Sequence, residues 1–257
     1  MKSGPDLAKA EAAAALLIRD YGIVTPSQII VEDIAMDLGV LTRVAPLEGA
    51  EAHLLRRGNR GVIRVSDRIT EIGRRRFAIG HELGHWRLHA VQVPAWLCTG
   101  DDIHAYRGND VEIEANAFAG ELLMPSSLLR PRLRSGINIA LACELASEFQ
   151  TSLTATAVRM VDGSAEESYV VFSREGRVTW WRAGREGRGL WIQRAQEIHP
   201  ESLAYACETS PGNSTGMTAV PPRSWFPDAQ HVDGLEVWEE SVLLGDYDVV
   251  LTLLCVI

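Results

Sequence analysis

No stretch of about 18 apolar residues occurs anywhere in the chain, so a membrane-spanning helix is not expected. Cysteine is scarce. Cys98, Cys143, Cys207 and Cys255 lie far apart with no C-x-x-C pair, and a reduced cytoplasmic protein fits that usage best. Positive charge is also in deficit: 25 Lys and Arg against 34 Asp and Glu leave a formal charge of −9. That balance argues against broad, non-specific binding to DNA or acidic membranes. There is no internal repeat or low-complexity tract. The N-terminal stretch AEAAAALLI contains a glutamate and ends in Arg19-Asp20, which reads as an Ala-rich amphipathic helix and not as a signal peptide. What remains is 257 residues, 46% hydrophobic and 23% charged, enough for one large domain or two modest ones with real cores.

Periodicity predicts helices over residues 6–21 and 28–38, the second capped by Ser27 and stopped by Gly39. Three β-type runs follow, Val40–Ala45, Ala50–Leu55 and Gly61–Val65, and a small antiparallel sheet is the natural reading. Thr70–His89 is helical, Val91–Asn109 irregular and polar. Val111–Leu123 is helical again and closed by Met124-Pro125. Ile137–Val161 reads as two shorter helices broken at Gln150-Thr151-Ser152. The polar stretch at 162–167 marks a boundary between residues 1–162 and a strand-rich part at 163–257.

The informative pentapeptide is His81-Glu82-Leu83-Gly84-His85. Residues four apart on a helix share a face, so both imidazoles can reach one ion. Zinc accepts histidine nitrogens and, in catalytic sites, keeps a position for water, whose proton the adjacent Glu82 can take. Phe77, Ala78, Ile79, Leu83 and Trp86 flank the motif and imply a buried helix, where polar groups need partners. His89 lies eight residues from His81, about 12 Å along a helix axis, and is expected to be an outer partner or a surface group. Leu88 and Val91 stand where a metzincin needs glycine and histidine. In the next helix Glu112 and Asn116 share a face. A glutamate there could complete the metal shell while the amide fixes a histidine tautomer. Glu114 falls about 200° round from Glu112 and reads as a solvent-facing charge.

FAIGHELGH followed by EIEANAFAGELLMP resembles the ImmA/IrrE-type metallopeptidases over about residues 25–160. The resemblance implies an α+β, zincin-like domain of helices and a small sheet, followed by a smaller α/β domain, in some relatives a GAF-related sensory module. It implies zinc, or manganese, held by His81, His85 and Glu112, with Glu82 catalytic. Asn116 falls where thermolysin-like enzymes keep a supporting aspartate. It further implies a protein substrate, a helix-turn-helix transcriptional repressor; from the acidic balance no direct contact to nucleic acid is expected. The alternative is an anti-repressor that inactivates its partner by binding alone.

Other features carry plainer expectations. Arg74-Arg75-Arg76 reads as a solvated basic face. Leu141–Met160 has a helix-turn-helix cadence, but its second half offers only Arg159 as a base, so it is expected to be a packing unit. Cys98 and the polar loop with Asp101, Asp102, His104 and Tyr106 lie between the two ligand-bearing helices. The five tryptophans of the C-terminal part are expected in its core or at an interface.

Overall fold

The computed structural model describes residues 4–89, 95–98, 110–187, 189–209, 214–229, 232–245 and 248–257. The chain packs as two compact units: Met1–Leu128 with Ser147–Ser152, and Leu129–Ala146 with Leu153–Ile257.

In the first unit α1 (Leu7–Asp20) buries Ala10, Ala14, Leu17 and Ile18, a stripe at helical spacing, and Asp6 caps it by accepting the Lys9 N–H at 3.0 Å. The next helix starts later than the sequence implies. Gln28 Oε1 accepts the backbone N–H groups of Val24 and Thr25 at 2.8 and 2.9 Å. This closes a 3-10 turn at Pro26–Gln28 and leaves α2 to run only from Val31 to Asp37, without a cap from Ser27.

The strands β1 (Val40–Ala45), β2 (Ala52–Arg57), β3 (Arg60–Ser66) and β4 (Ala95–Cys98) form one sheet in the order β1-β3-β2-β4. The expectation of a purely antiparallel sheet is corrected, because β1 runs parallel to β3. The two-residue turn at Gly58-Asn59, with Gly58 at φ +61°, closes the β2–β3 hairpin and gives β2 its neighbour. The longer 46–51 connection lets β1 lie on the far side of β3. Strand β4 occupies part of the segment expected to be irregular, paired antiparallel with β2.

Helix α3 (Ile72–Leu88) is buried from Arg76 through Trp86, and α4 (Asp110–Leu123) buries Glu112, Ala115, Asn116 and its last six residues. A short turn of helix, α5 (Ser126–Leu129), follows, then α6 (Ile139–Phe149) and α7 (Leu153–Gly163), separated at Gln150 with φ +53°. Arg159 is buried, so the helix-turn-helix cadence offers no exposed base for DNA.

The second unit holds a five-stranded sheet, β6-β5-β9-β8-β7, every described pair antiparallel. Its strands are β5 (Glu167–Arg174), β6 (Arg177–Ala183), β7 (Thr218–Val220), β8 (Val237–Leu244) and β9 (Val249–Val256). The β5–β6 turn has positive φ at both Glu175 and Gly176, which suits a tight hairpin. Tyr169, Trp225 and Phe226 sit in the core with Trp181 packed on it, whereas Trp191 is 68% exposed. The Glu239 carboxylate is fully buried yet satisfied, accepting from Ser202 Oγ (2.9 Å), Ala204 N (2.7 Å), Trp225 Nε1 (2.8 Å) and Ser241 Oγ (3.0 Å). It thereby anchors the start of α8 (Leu203–Thr209), which the sequence pattern did not suggest.

Cys143, Cys207 and Cys255 are free thiols. Burial, reinforced by the nearby Glu166 and Glu240 carboxylates, pushes Cys255 up to about 12 and keeps it from acting as a thiolate. The Cys98 side chain and residues 99–109, with Asp101, Asp102, His104 and Tyr106, lie outside the described residues. Among the described residues no helix is long and apolar enough to cross a membrane.

Candidate metal centre

Two helices can bring ligands to one point only if their backbones approach closely, and α3 and α4 do so across small residues. A Cβ built on Gly84 would lie 2.9 Å from Ala115 Cα and 3.1 Å from its carbonyl oxygen; one on Gly80 would lie 3.3 Å from Ala119 Cβ. Gly84 stands between Glu82 and His85 in the motif, and its role is contact, not ligation.

This approach brings His81, His85 and Glu112 together, with one donor atom from each inside 4.8 Å of the others. His81 Nε2 is 3.0 Å from His85 Nε2, and Glu112 Oε2 lies 3.0 Å from the first and 3.4 Å from the second. All three residues are buried. Glu82 is fully buried beside them, close enough for its charge to act on His81.

Hydrogen bonding outside the triad fixes what these atoms offer. Asn116 presents its side-chain oxygen to His81 Nδ1 at 2.8 Å, so Nδ1–H donates and a neutral His81 carries its lone pair on Nε2. On the other ring, His89 Nε2 is 2.9 Å from Glu114 Oε2, and His89 Nδ1 is 3.1 Å from His85 Nδ1. An ionised carboxylate only accepts, so His89 donates from Nε2, accepts at Nδ1, and makes His85 Nδ1 the donor. His85 Nε2 is then a lone pair as well. Glu114 in turn is held by the Asp6 backbone N–H at 2.8 Å, at the cap of α1. His89 is thus an outer partner of the site. The solvent-facing expectation for Glu114 is corrected, because α1 and His89 cover that side of α4.

Removing the outer hydrogen bond is expected to loosen the site without removing a ligand. His89→Ala should weaken binding of a divalent cation about tenfold to a hundredfold in a chelator competition, whereas unchanged affinity would show that the His85 ring is held by other contacts.

Electrostatics couple the three groups tightly. Burial would raise Glu112, but its bonds to His81 and His85 outweigh this and hold the carboxyl far below the usual range. At His85 burial dominates, aided by the neighbouring His81 and His89 rings, and lowers it to about 4. Burial opposes charging of His81 too, yet contacts with Glu112, Glu82 and Asn116 overcome it and raise that ring. Two imidazole lone pairs and a carboxylate oxygen in mutual contact repel one another unless a cation lies among them. The donor set therefore fits a divalent metal.

The arginine run does not form a solvated face. Arg74 pairs with Glu51, Arg75 donates to the Ile69 carbonyl at 2.8 Å, and Arg76 is buried and donates to the Ile29 carbonyl at 2.9 Å.

Comparison with known proteins follows the same lines. Residues 35–161 match a peptidase-family model, the IrrE N-terminal-like domain. A search of curated proteins finds no match. Among solved structures, a Mycobacterium tuberculosis transcriptional regulator aligns with a TM-score of 0.65 at 14% identity, over 96% of this chain and 76% of that one. At that identity the likeness is one of fold.

Proposed function

Because residues 35–161 belong to the peptidase family of the IrrE N-terminal-like domain, we propose that this chain is a zinc-dependent endopeptidase of zincin-like architecture. His81, His85 and Glu112 would hold the metal, with manganese as the other candidate ion, and Asn116 would orient His81. The observation that carries this reading is the meeting of two imidazole nitrogens and one carboxylate oxygen within 4.8 Å.

A divalent cation bound there would supply Lewis acidity, polarising the scissile carbonyl and acidifying water. The chain's own residues do the rest. Glu82 takes a proton from the attacking water and delivers it to the leaving amine, so one carboxylate serves as base and then as acid. Its burial keeps bulk water from competing for that proton. Asn116 and the His89–Glu114 pair hold the two imidazoles in the tautomers that leave Nε2 free to coordinate. An extended substrate would add to an edge of the four-stranded sheet. Residues 1–162 would form the peptidase domain and 163–257 a regulatory domain, in a cytoplasmic protein.

The substrate we propose is a helix-turn-helix transcriptional repressor, encoded beside this chain. Zinc-loaded protein incubated with that repressor should yield discrete fragments, and a chelator should suppress them. A repressor that stays bound but intact would replace cleavage by inactivation through docking.

A further inference from the structure

The outer face of the four-stranded sheet carries a charge pattern for which the metal centre has no use. Strand register sorts its side chains into three rows. Arg57 pairs with Arg60; Leu55, Val62 and Leu41 form the middle row; His53, Arg64 and Arg43 form the third. The opposite face is the packed one, burying Leu54, Ile63 and Val65, with the Arg56 guanidinium 3.8 Å from the ring centre of Trp86 on α3. On the outer face Leu41 is 50% exposed and Leu55 40%, and a depression of about 300 Å3 is lined by Leu41, Leu55 and Val62 together with Arg57 and Arg60.

Solvation alone is a poor explanation for this face. Arg57 stands directly across from Arg60, and Arg43 across from Arg64. Like charges at directly opposed positions destabilise a sheet. None of these four arginines forms an ion pair with a described residue; Arg64 reaches only the Pro46 carbonyl, at 3.4 Å. His53, across from Arg64, is held below its usual value by burial and by that neighbouring charge. No acidic residue occupies any of the eight positions, in a chain whose net charge is −9. Among the described residues this repulsion is therefore uncompensated, and an anionic partner would relieve it.

We infer that this face docks an acidic amphipathic helix of a protein partner. Rows on one face of a strand lie about 6.6 Å apart, and a helix is about 10–12 Å across with its side chains. A helix laid across the strands would thus set an apolar stripe on Leu41, Val62 and Leu55 while its flanking carboxylates meet arginines on both sides. Guanidinium groups suit carboxylates because they bind them through two parallel hydrogen bonds. Nucleic acid fits less well: the eight outer positions include no Phe, Tyr or Trp for base stacking, and the chain's overall charge repels a polyanion. The Arg56–Trp86 contact joins the sheet to α3 one residue beyond His85, so a docked partner would sit on the same packed body as the metal centre.

The test uses the full chain and two fluorescent probes: a synthetic helical peptide with a leucine stripe flanked by glutamates, and a single-stranded oligonucleotide. The peptide should bind at low salt and weaken as salt rises. The Arg43→Glu, Arg64→Glu pair should weaken it about tenfold, and the milder Arg57→Gln, Arg60→Gln pair should act in the same direction. Arg64→Glu alone should leave the thermal midpoint unchanged or raised, because it turns a repulsive cross-strand pair into an attractive one. Absence of peptide binding at low salt, equal binding by all variants, or tighter oligonucleotide binding lost in the same variants would each overturn the inference. Peptide binding is read without hydrolysis, so failure here is distinguishable from failure of the peptidase reading.

Discussion

Glu82→Gln is expected to lower peptide-bond hydrolysis by about a hundredfold to ten-thousandfold, the usual worth of a positioned general base. The amide matches the carboxylate in size, so the packing of a fully buried side chain is preserved. Its nitrogen cannot accept the proton of the attacking water. Metal content should remain that of the unmodified protein, because Glu82 is not among the three converging donors. Repressor mixed with the variant should accumulate as an uncut complex. Cleavage at the original rate would place the base elsewhere. Loss of activity together with loss of metal would make Glu82 part of the cage and not the base.

The second large effect concerns a residue that touches neither metal nor substrate. Gly84→Ala would drive a methyl to 2.9 Å from Ala115 Cα, against backbone that cannot rotate away. Helix α4 must then move off α3 and carry Glu112 and Asn116 with it. Overpacking of this kind costs about 1–3 kcal/mol, or a fall of about 2–10 °C in thermal midpoint for a chain of this size. Affinity for a divalent cation should fall alongside, because two ligands ride on one helix and the third on the other. Gly80→Ala should be milder, since its nearest neighbour is the Ala119 methyl at 3.3 Å. If Gly84→Ala keeps both midpoint and affinity, the helices have more slack than their spacing implies.

Much of the centre was legible because helical geometry is so regular. The i, i+4 spacing of His81 and His85, and of Glu112 and Asn116, puts each pair on one face whatever surrounds it. The meeting of the two faces depends on Gly80, Gly84, Ala115 and Ala119, whose effect is to permit contact and so leaves no mark in a hydrophobic pattern. Glu114 escaped for a different reason. Counting degrees round α4 turned it away from Glu112 correctly, but only tertiary structure reveals that α1 and His89 occupy that side.

The sheet shows the same division. The β-type runs Ala50–Leu55 and Gly61–Val65 located the hairpin, because their pattern is local. Whether β1 lies beside β2 or β3, and in which sense, depends on pairing between distant segments, and nothing within Val40–Ala45 encodes it. The α2 boundary failed on a side-chain bond from Gln28 back to the chain, a competitor that propensity alone does not weigh. In the second unit the strand-rich pattern of 163–257 corresponds to a five-stranded sheet, while α8 depends on the buried Glu239 of a strand far along the chain.

Metal stoichiometry measured by elemental analysis after equilibrium dialysis bears most directly on the centre. The unmodified chain should retain one divalent ion per molecule, and His81→Ala and Glu112→Ala should each lose it while remaining folded by circular dichroism. Retention of the ion at full stoichiometry without Glu112, or failure of the unmodified chain to bind any, would contradict a site built from these two helices.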